Sequence, residues 1–257
     1  MQRARKRFGQ HFLHDQRVIE SILRAVDPQP GDRLLEIGPG QGALTYPLLQ
    51  RCRELVAIEL DRDLIPGLKS KAGRYGKLEI INADILEYRL PELGTGEAWR
   101  LVGNLPYNIS TPLMFHLLES ARLIKDMHFM VQKEVALRIV ARPGETDYGR
   151  LSVMLQYHCE CQYLLDVAPD SFKPPPRVES TVIRLRPLPE PEYDVGNYEV
   201  FSTLVQTAFG QRRKTIANSL KPLMDRALII ACGIDPGLRA QNLRLADFAR
   251  LSKALQQ

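Results

Sequence analysis

Short apolar runs alternate with helical stretches between residues 33 and 140. This alternation predicts an α/β fold, with a mostly parallel sheet covered by helices on both faces. Two further observations complete the prediction. The first apolar run ends in Gly38-Pro-Gly40-Gln-Gly42, glycines that make a tight turn and let a ligand approach the backbone. Past residue 188 the strand signal stops and helical spacing remains, which predicts a small all-helical C-terminal domain and a division into 1–188 and 189–257.

Along the chain, Val18, Ile19, Ile22, Leu23 and Val26 share one helical face, with Asp15 as the cap and Pro28-Gln-Pro-Gly31 as the stop. Arg33–Ile37 reads as a short buried strand and residues 43–49 as a helix. Further strands are expected at 55–59, 78–82, 100–103 and 128–132, with helices over 61–71, 112–120 and Lys133–Val140. Residues 152–157 are helical, and 163–167 and 181–185 are strands on either side of Phe172-Lys-Pro-Pro-Pro176. Two strands joined without a helix can pair as an antiparallel edge on a parallel sheet. Pro187-Leu-Pro-Glu-Pro191 reads as a linker, and Phe201, Leu204, Val205, Ala208 and Phe209 fall at helical spacing beyond it. A second apolar stripe is formed by Leu243, Leu245, Phe248, Leu251 and Leu255.

Composition narrows the function. The 257 residues hold 35 Lys+Arg against 30 Asp+Glu, a net charge of +5 that permits an anionic partner without requiring one. Its distribution is more telling: Arg3, Arg5, Lys6 and Arg7 cluster at the start, and Arg212, Arg213 and Lys214 far along the chain. The four cysteines have no metal-ligand spacing, so no metal site is expected and the thiols are read as reduced residues of a cytoplasmic protein. No apolar run reaches the roughly 20 residues of a membrane span, and the basic start lacks the apolar stretch of a secretory signal.

Three strand ends suggest a nucleoside pocket. Ala43 stands where a dinucleotide fingerprint carries its third glycine, which disfavours a pyrophosphate and fits the nucleoside end of S-adenosylmethionine. Glu59 ends the second strand, where a carboxylate can accept from both ribose hydroxyls. Asn82-Ala-Asp84 ends the third; Asp84 can accept from an adenine amine and can equally cap the next turn. The fourth strand ends in Asn104-Leu-Pro-Tyr107. An aromatic amine is a poor nucleophile because its lone pair is delocalised into the ring. An Asn side-chain oxygen and the Leu105 carbonyl, set by Pro106, can each accept one N–H and aim the lone pair at a methyl donor. Tyr107 offers a face for base stacking. No Ser/His/Asp or Cys/His grouping suggests a hydrolase.

The motifs Lys6-Arg-Phe-Gly-Gln-His-Phe-Leu13, Glu36-Ile-Gly-Pro-Gly40, Ile58-Glu-Leu-Asp61, Asn82-Ala-Asp84 and Gly103-Asn-Leu-Pro-Tyr-Asn-Ile-Ser-Thr-Pro112 together resemble the ribosomal RNA adenine dimethyltransferases. So do Gln132-Lys-Glu134, Tyr148-Gly-Arg-Leu-Ser152, Phe172-Lys-Pro-Pro-Pro-Arg-Val178 and Phe209-Gly-Gln-Arg-Arg-Lys214, in that order. The resemblance is to the bacterial small-subunit branch. It implies a Rossmann-like methyltransferase sheet, S-adenosyl-L-methionine as cofactor, and dimethylation of two adjacent adenosines in a hairpin loop near the 3′ end of 16S rRNA in immature small subunits. A monomeric enzyme is expected. His11, Leu13, Gly38, Gly40, Glu59, Asp84 and Asn104 would bind the cofactor; many relatives carry Asn where His11 stands. Asn104, Leu105, Pro106 and Tyr107 would hold the target base, with Phe172 stacking on its other face. Arg5, Lys6, Arg7, Arg212, Arg213 and Lys214 would hold RNA phosphates. Two alternatives stay open: a large-subunit adenine methyltransferase of the antibiotic-resistance type, in which Ile is usual where Leu105 stands, and a non-catalytic nucleic-acid-binding factor on the same scaffold.

Overall fold

A computed structural model describes residues 11–94 and 97–257. In chain order it contains β1 (Phe12–Leu13), α1 (Gln16–Val26), β2 (Arg33–Ile37), α2 (Thr45–Cys52), β3 (Glu54–Ile58), α3 (Ile65–Ala72), β4 (Lys77–Ile81) and β5 (Trp99–Asn104). There follow α4 (Ser110–Leu118), β6 (Ile124–Gln132), α5 (Lys133–Val140), α6 (Arg150–His158), β7 (Cys159–Val167), β8 (Phe172–Lys173) and β9 (Ser180–Pro187). The helices α7 (Tyr198–Phe209), α8 (Ile216–Leu220), α9 (Arg226–Ala231) and α10 (Leu245–Ala254) complete the chain. The chain divides into two compact units, one of residues 1–136 with 162–187 and the other of 137–161 with 188–257.

The first unit is built on a seven-stranded sheet of order β4-β3-β2-β5-β6-β9-β7. The pairs among β4, β3, β2, β5 and β6 are parallel. The antiparallel edge begins at β9, which pairs with β6 from Met127↔Leu185 to Gln132↔Ser180. Leu34, Leu35 and Ile37 of β2 are all buried because a parallel strand is covered on both faces. Asp15 caps α1 by accepting from the Arg17 N–H at 2.9 Å, and Asp27 ends it in the left-handed region at φ 46°. The helix turns Ile19, Ile22, Leu23 and Val26 onto a core shared with Leu48, Leu49, Val102 and Val182.

Two features depart from the sequence reading. β6 starts at Ile124 rather than 128, because exposed Lys125 and the ion-paired Asp126 hide the apolar pattern. Asp126 accepts from Arg100 Nε at 3.1 Å, while Arg100 also reaches Asp32 at 2.6 Å and the Val26 carbonyl at 2.6 Å. The second departure is a separate two-stranded antiparallel ladder, Phe12↔Lys173 and Leu13↔Phe172. Each partner is only two residues long and the two lie far apart in sequence, so neither shows a period.

In the second unit, Asn197 caps α7 by accepting from the Glu199 and Val200 N–H groups, and Asp225 caps α9. The α7 residues Phe201, Leu204 and Val205 are fully buried, as are Phe248 and Leu251 of α10. Phe209 meets Tyr148 edge-on at 6.0 Å and Phe248 at 5.6 Å, so residues before β7 and after β9 share this core. No helix among the described residues is long and apolar enough to cross a membrane.

Arg100 is the polar linchpin of the first unit: its side chain is 9% exposed, and those of Asp32 and Asp126 are 14% and 13% exposed. Removing one partner of such a pair strands buried charge. Arg100→Ala is expected to cost about 3–5 kcal/mol of unfolding free energy, read as a lower urea midpoint. A change below about 1 kcal/mol would show that water screens these carboxylates.

Candidate active site

The carboxyl ends of β2, β3, β4 and β5 open onto a cavity of about 380 Å³, where sheets of this class place their ligands. It lies entirely within the first unit. After β2 the backbone turns through Gly38, Gly40 and Gly42, at φ 68°, 56° and 91°. Those values belong to the left-handed region that glycine adopts without a Cβ penalty. At Gly42 a Cβ would also stand 2.4 Å from the Tyr46 ring. Between β2 and β5 the approach is close: a Cβ on Gly103 would lie 2.6 Å from the Ile37 carbonyl oxygen. Gly103 therefore sets where the next residue, Asn104, emerges.

Glu59 is 6% exposed at the end of β3. Its Oε2 accepts from the Gly40 N–H at 3.1 Å and its Oε1 from the Asp61 N–H at 2.8 Å. Burial raises its pKa, while these two backbone donors pull the other way. Each oxygen keeps a second lone pair for a ligand hydroxyl. Asn82 braces this corner by donating to the Glu59 carbonyl at 2.7 Å. Asp84 Oδ1 caps the turn by accepting from the Leu86 N–H at 2.9 Å, and the residue also lines the cavity.

Asn104 donates through Nδ2 to the His11 carbonyl at 3.0 Å. A carbonyl can only accept, so the amide orientation is set by chemistry and Oδ1 is the atom left for a ligand. The loop after β5 is held by the Leu105 N–H on the Met130 carbonyl at 3.1 Å and by the Ile109 N–H on the Pro106 carbonyl at 3.1 Å. Tyr107 is anchored at its hydroxyl by Ser180 at 2.7 Å, and burial raises its pKa, so the phenol stays neutral. The His11 ring stacks with Tyr107 at a centroid distance of 5.8 Å and bonds the Pro174 carbonyl through Nδ1 at 2.8 Å.

The structure thus brings His11, Leu13, Gly38, Gly40, Glu59, Asp84, Asn104, Leu105, Pro106 and Tyr107 around one cavity. Phe172 is not among its walls. Its ring is 2% exposed and packs in the core with Leu13 and Val182, so the expected stacking on the target base is corrected here to a core role. The physical reason is the β1–β8 ladder, which pairs Phe172 with Leu13. Arg212, Arg213 and Lys214 lie exposed in the turn between α7 and α8 of the second unit, where Arg212 bonds the Thr146 carbonyl. Arg5, Lys6 and Arg7 fall outside the described residues. Sequence reasoning missed Ser180 and the role of Glu36 as a cavity wall. A charged residue inside the apolar run Leu34-Leu35-Glu36-Ile37 was the available signal for the last.

The cavity suits the nucleoside and cationic parts of S-adenosylmethionine. Carboxylates line it, and His11 is its sole basic side chain among the described residues. A pyrophosphate would find no Lys or Arg there.

The comparisons agree with this chemistry. The family model described as ribosomal RNA adenine dimethylase matches residues 1–257. A Pseudomonas aeruginosa protein named ribosomal RNA small subunit methyltransferase A is 53% identical over 99% of this chain and 96% of its own length. A Methylococcus capsulatus protein of the same name is 53% identical over 98% and 97%. Among solved structures, a dimethyladenosine transferase from Plasmodium falciparum superposes with a TM-score of 0.78 at 27% identity, over 94% of this chain and 96% of that one. The 23S rRNA methyltransferase ErmE does so with a TM-score of 0.75 at 30% identity, over 96% and 100%. With carboxylates at successive strand ends, an oriented Asn104 amide and a match that runs from end to end, this chain belongs to the ribosomal RNA adenine dimethylase family.

Proposed function

We propose that this chain transfers methyl groups from S-adenosyl-L-methionine to the exocyclic N6 of two adjacent adenosines near the 3′ end of 16S rRNA, within immature small subunits. The observation that carries the reading is the Asn104 amide, whose nitrogen donates one N–H to the His11 carbonyl, which leaves Oδ1 as the acceptor of a residue that lines the cavity. Bound S-adenosylmethionine supplies an electrophilic methyl group on a positively charged sulfur. Glu59 holds the ribose hydroxyls and Asp84 the adenine amine of the cofactor. The Asn104 Oδ1 and the Leu105 carbonyl each accept one N–H of the target amine, which favours a tetrahedral nitrogen with a directed lone pair. Tyr107 stays neutral and supplies a stacking face, not a base. Unstacking of the His11 ring from Tyr107 would free more of that face for the incoming nucleotide. The surplus N–H proton leaves to solvent after transfer, so no strong base is required beforehand.

The second unit serves as the RNA-holding part, with Arg212, Arg213 and Lys214 on phosphates. Such an enzyme acts where ribosomes are assembled, in the cytoplasm. The deciding assay offers labelled cofactor to undermethylated small subunits and to large subunits. Label in N6,N6-dimethyladenosine of the small subunit supports the reading; label confined to the large subunit favours the resistance-type activity, and binding without label a non-catalytic factor.

Three variants probe the parts. Asn104→Ala should lower turnover by about 10²–10³-fold, the usual cost of losing one preorganised polar group, with RNA affinity retained in filter binding. Glu59→Gln replaces an acceptor of two backbone N–H bonds with a half-donor amide. Its cofactor Kd should rise roughly tenfold or more, measured by calorimetry, and an unchanged Kd would remove Glu59 from ribose binding. Neutralising Arg212, Arg213 and Lys214 together should reduce the salt slope of RNA binding by about two; an unaltered slope would place the phosphates elsewhere.

A further inference from the structure

Tyr107 lines the cavity, and its hydroxyl lies 2.7 Å from the hydroxyl of Ser180. Ser180 is 0% exposed and stands behind the cavity's walls rather than among them. It is the first residue of β9 and pairs with Gln132 at the end of β6. Two residues on, Val182 faces the same side of the strand and packs in the apolar core. A buried hydroxyl in that row needs a polar partner, and Tyr107 provides it.

Both ends of Tyr107 are referred to one strand. The Met130 carbonyl of β6 accepts from the Leu105 N–H at 3.1 Å, and Gln132, two residues later, pairs with Ser180. The loop backbone is therefore hung from β6, and the far end of the ring from the residue of β9 beside it. The Ser110 hydroxyl adds a bond to the Tyr107 carbonyl at 3.1 Å. Ser180 is itself fixed from both sides. The Glu179 carbonyl accepts from the Lys133 N–H at 3.0 Å, and the Thr181 hydroxyl donates to Asp166 at 3.0 Å. The ion pairs of Lys133 with Asp166 and Glu179 are largely open to water and add little, so backbone pairing holds the serine.

A tyrosine ring moves by rotation about two side-chain bonds. With Oη tethered, the long axis of the ring is fixed, and swinging the ring about Cα–Cβ breaks the tether. A base laid on that face is then aimed by the protein. A misplacement of about 1 Å at the reacting atom can cost on the order of 10²-fold in rate.

We propose that Ser180 is a positioning residue for methyl transfer. Through the Tyr107 hydroxyl it sets the plane on which the target adenine stacks, and so the aim of the amine at the methyl group. The inference rests on the reading of Tyr107 as the stacking face. It gives the phenol a single task, to hold the ring, and leaves proton removal to solvent.

The test is a double-mutant cycle on methyl transfer to undermethylated small subunits, with kcat and KM determined separately. Ser180→Ala and Tyr107→Phe cut the same bond from its two ends. Each should lower kcat roughly threefold to tenfold, the usual worth of one hydrogen bond. The double variant should fall no further than either single one. Ser180→Thr keeps the hydroxyl on a strand that suits β-branched residues, and it should restore turnover. Parental kcat in Ser180→Ala with only a lower melting temperature, losses that multiply in the double variant, or a loss confined to KM overturns the proposal. Tyr107→Ala separates this inference from the reading beneath it. If Tyr107→Ala turns over like the parent, the stacking face lies elsewhere and both fall. If it is impaired while Ser180→Ala is not, only the role of Ser180 falls. Should Ser180→Ala fail to melt cooperatively, Tyr107→Phe decides from the cavity side, and parental kcat there overturns the proposal.

Discussion

The bond from Asn104 Nδ2 to the His11 carbonyl is where backbone architecture becomes chemistry. An amide side chain presents a donor at one end and an acceptor at the other, and a catalyst that must accept an N–H needs the acceptor end forward. Here a backbone oxygen, which cannot donate, takes the donor end. The carbonyl is in turn positioned because the next residues, Phe12 and Leu13, are pinned to Phe172 and Lys173. The His11 ring adds a bond to the Pro174 carbonyl. Orientation thus comes from a contact between segments far apart in sequence, with no strong acid or base involved.

The same economy runs through the cavity. Carboxylates are placed at strand ends and differ by what surrounds them. Glu59 is buried but receives two backbone N–H groups, whereas Glu36 is buried with an oxygen unanswered. Asp84 spends one oxygen on its own turn. A cluster of this kind repels phosphate and welcomes hydroxyls, amines and positive charge. That selectivity separates this pocket from the dinucleotide sites of similar sheets, and it follows from side chains, since the glycine turn is common to both.

Much of this was legible beforehand, for reasons that differ by element. β2 was read residue for residue because Leu34, Leu35 and Ile37 are buried on both faces and the glycines stop the run. The cap at Asp15 followed from local signals of the same sort, and the expected antiparallel edge is present, with β9 running against β6. The start of β6 was obscured by exposed Lys125 and by Asp126, whose ion pair makes the strand look polar until its partner Arg100 is known. The ladder of β1 with β8 could not be seen at all, and with it went the burial of Phe172.

By itself the sequence determined the order of strands and helices, the glycine turn, the strand-end acids and the Asn-Leu-Pro-Tyr loop. Each of these is written in neighbouring residues whose spacing is felt locally. Only the tertiary structure decided which atom of Asn104 is tied to the His11 carbonyl, that Phe172 belongs to the core, that Ser180 anchors Tyr107, and that Glu36 Oε2 lacks a hydrogen-bond partner. Those outcomes depend on pairings between residues widely separated in the chain. Hydrogen-bond satisfaction and burial are properties of the assembled neighbourhood, and no local pattern encodes them.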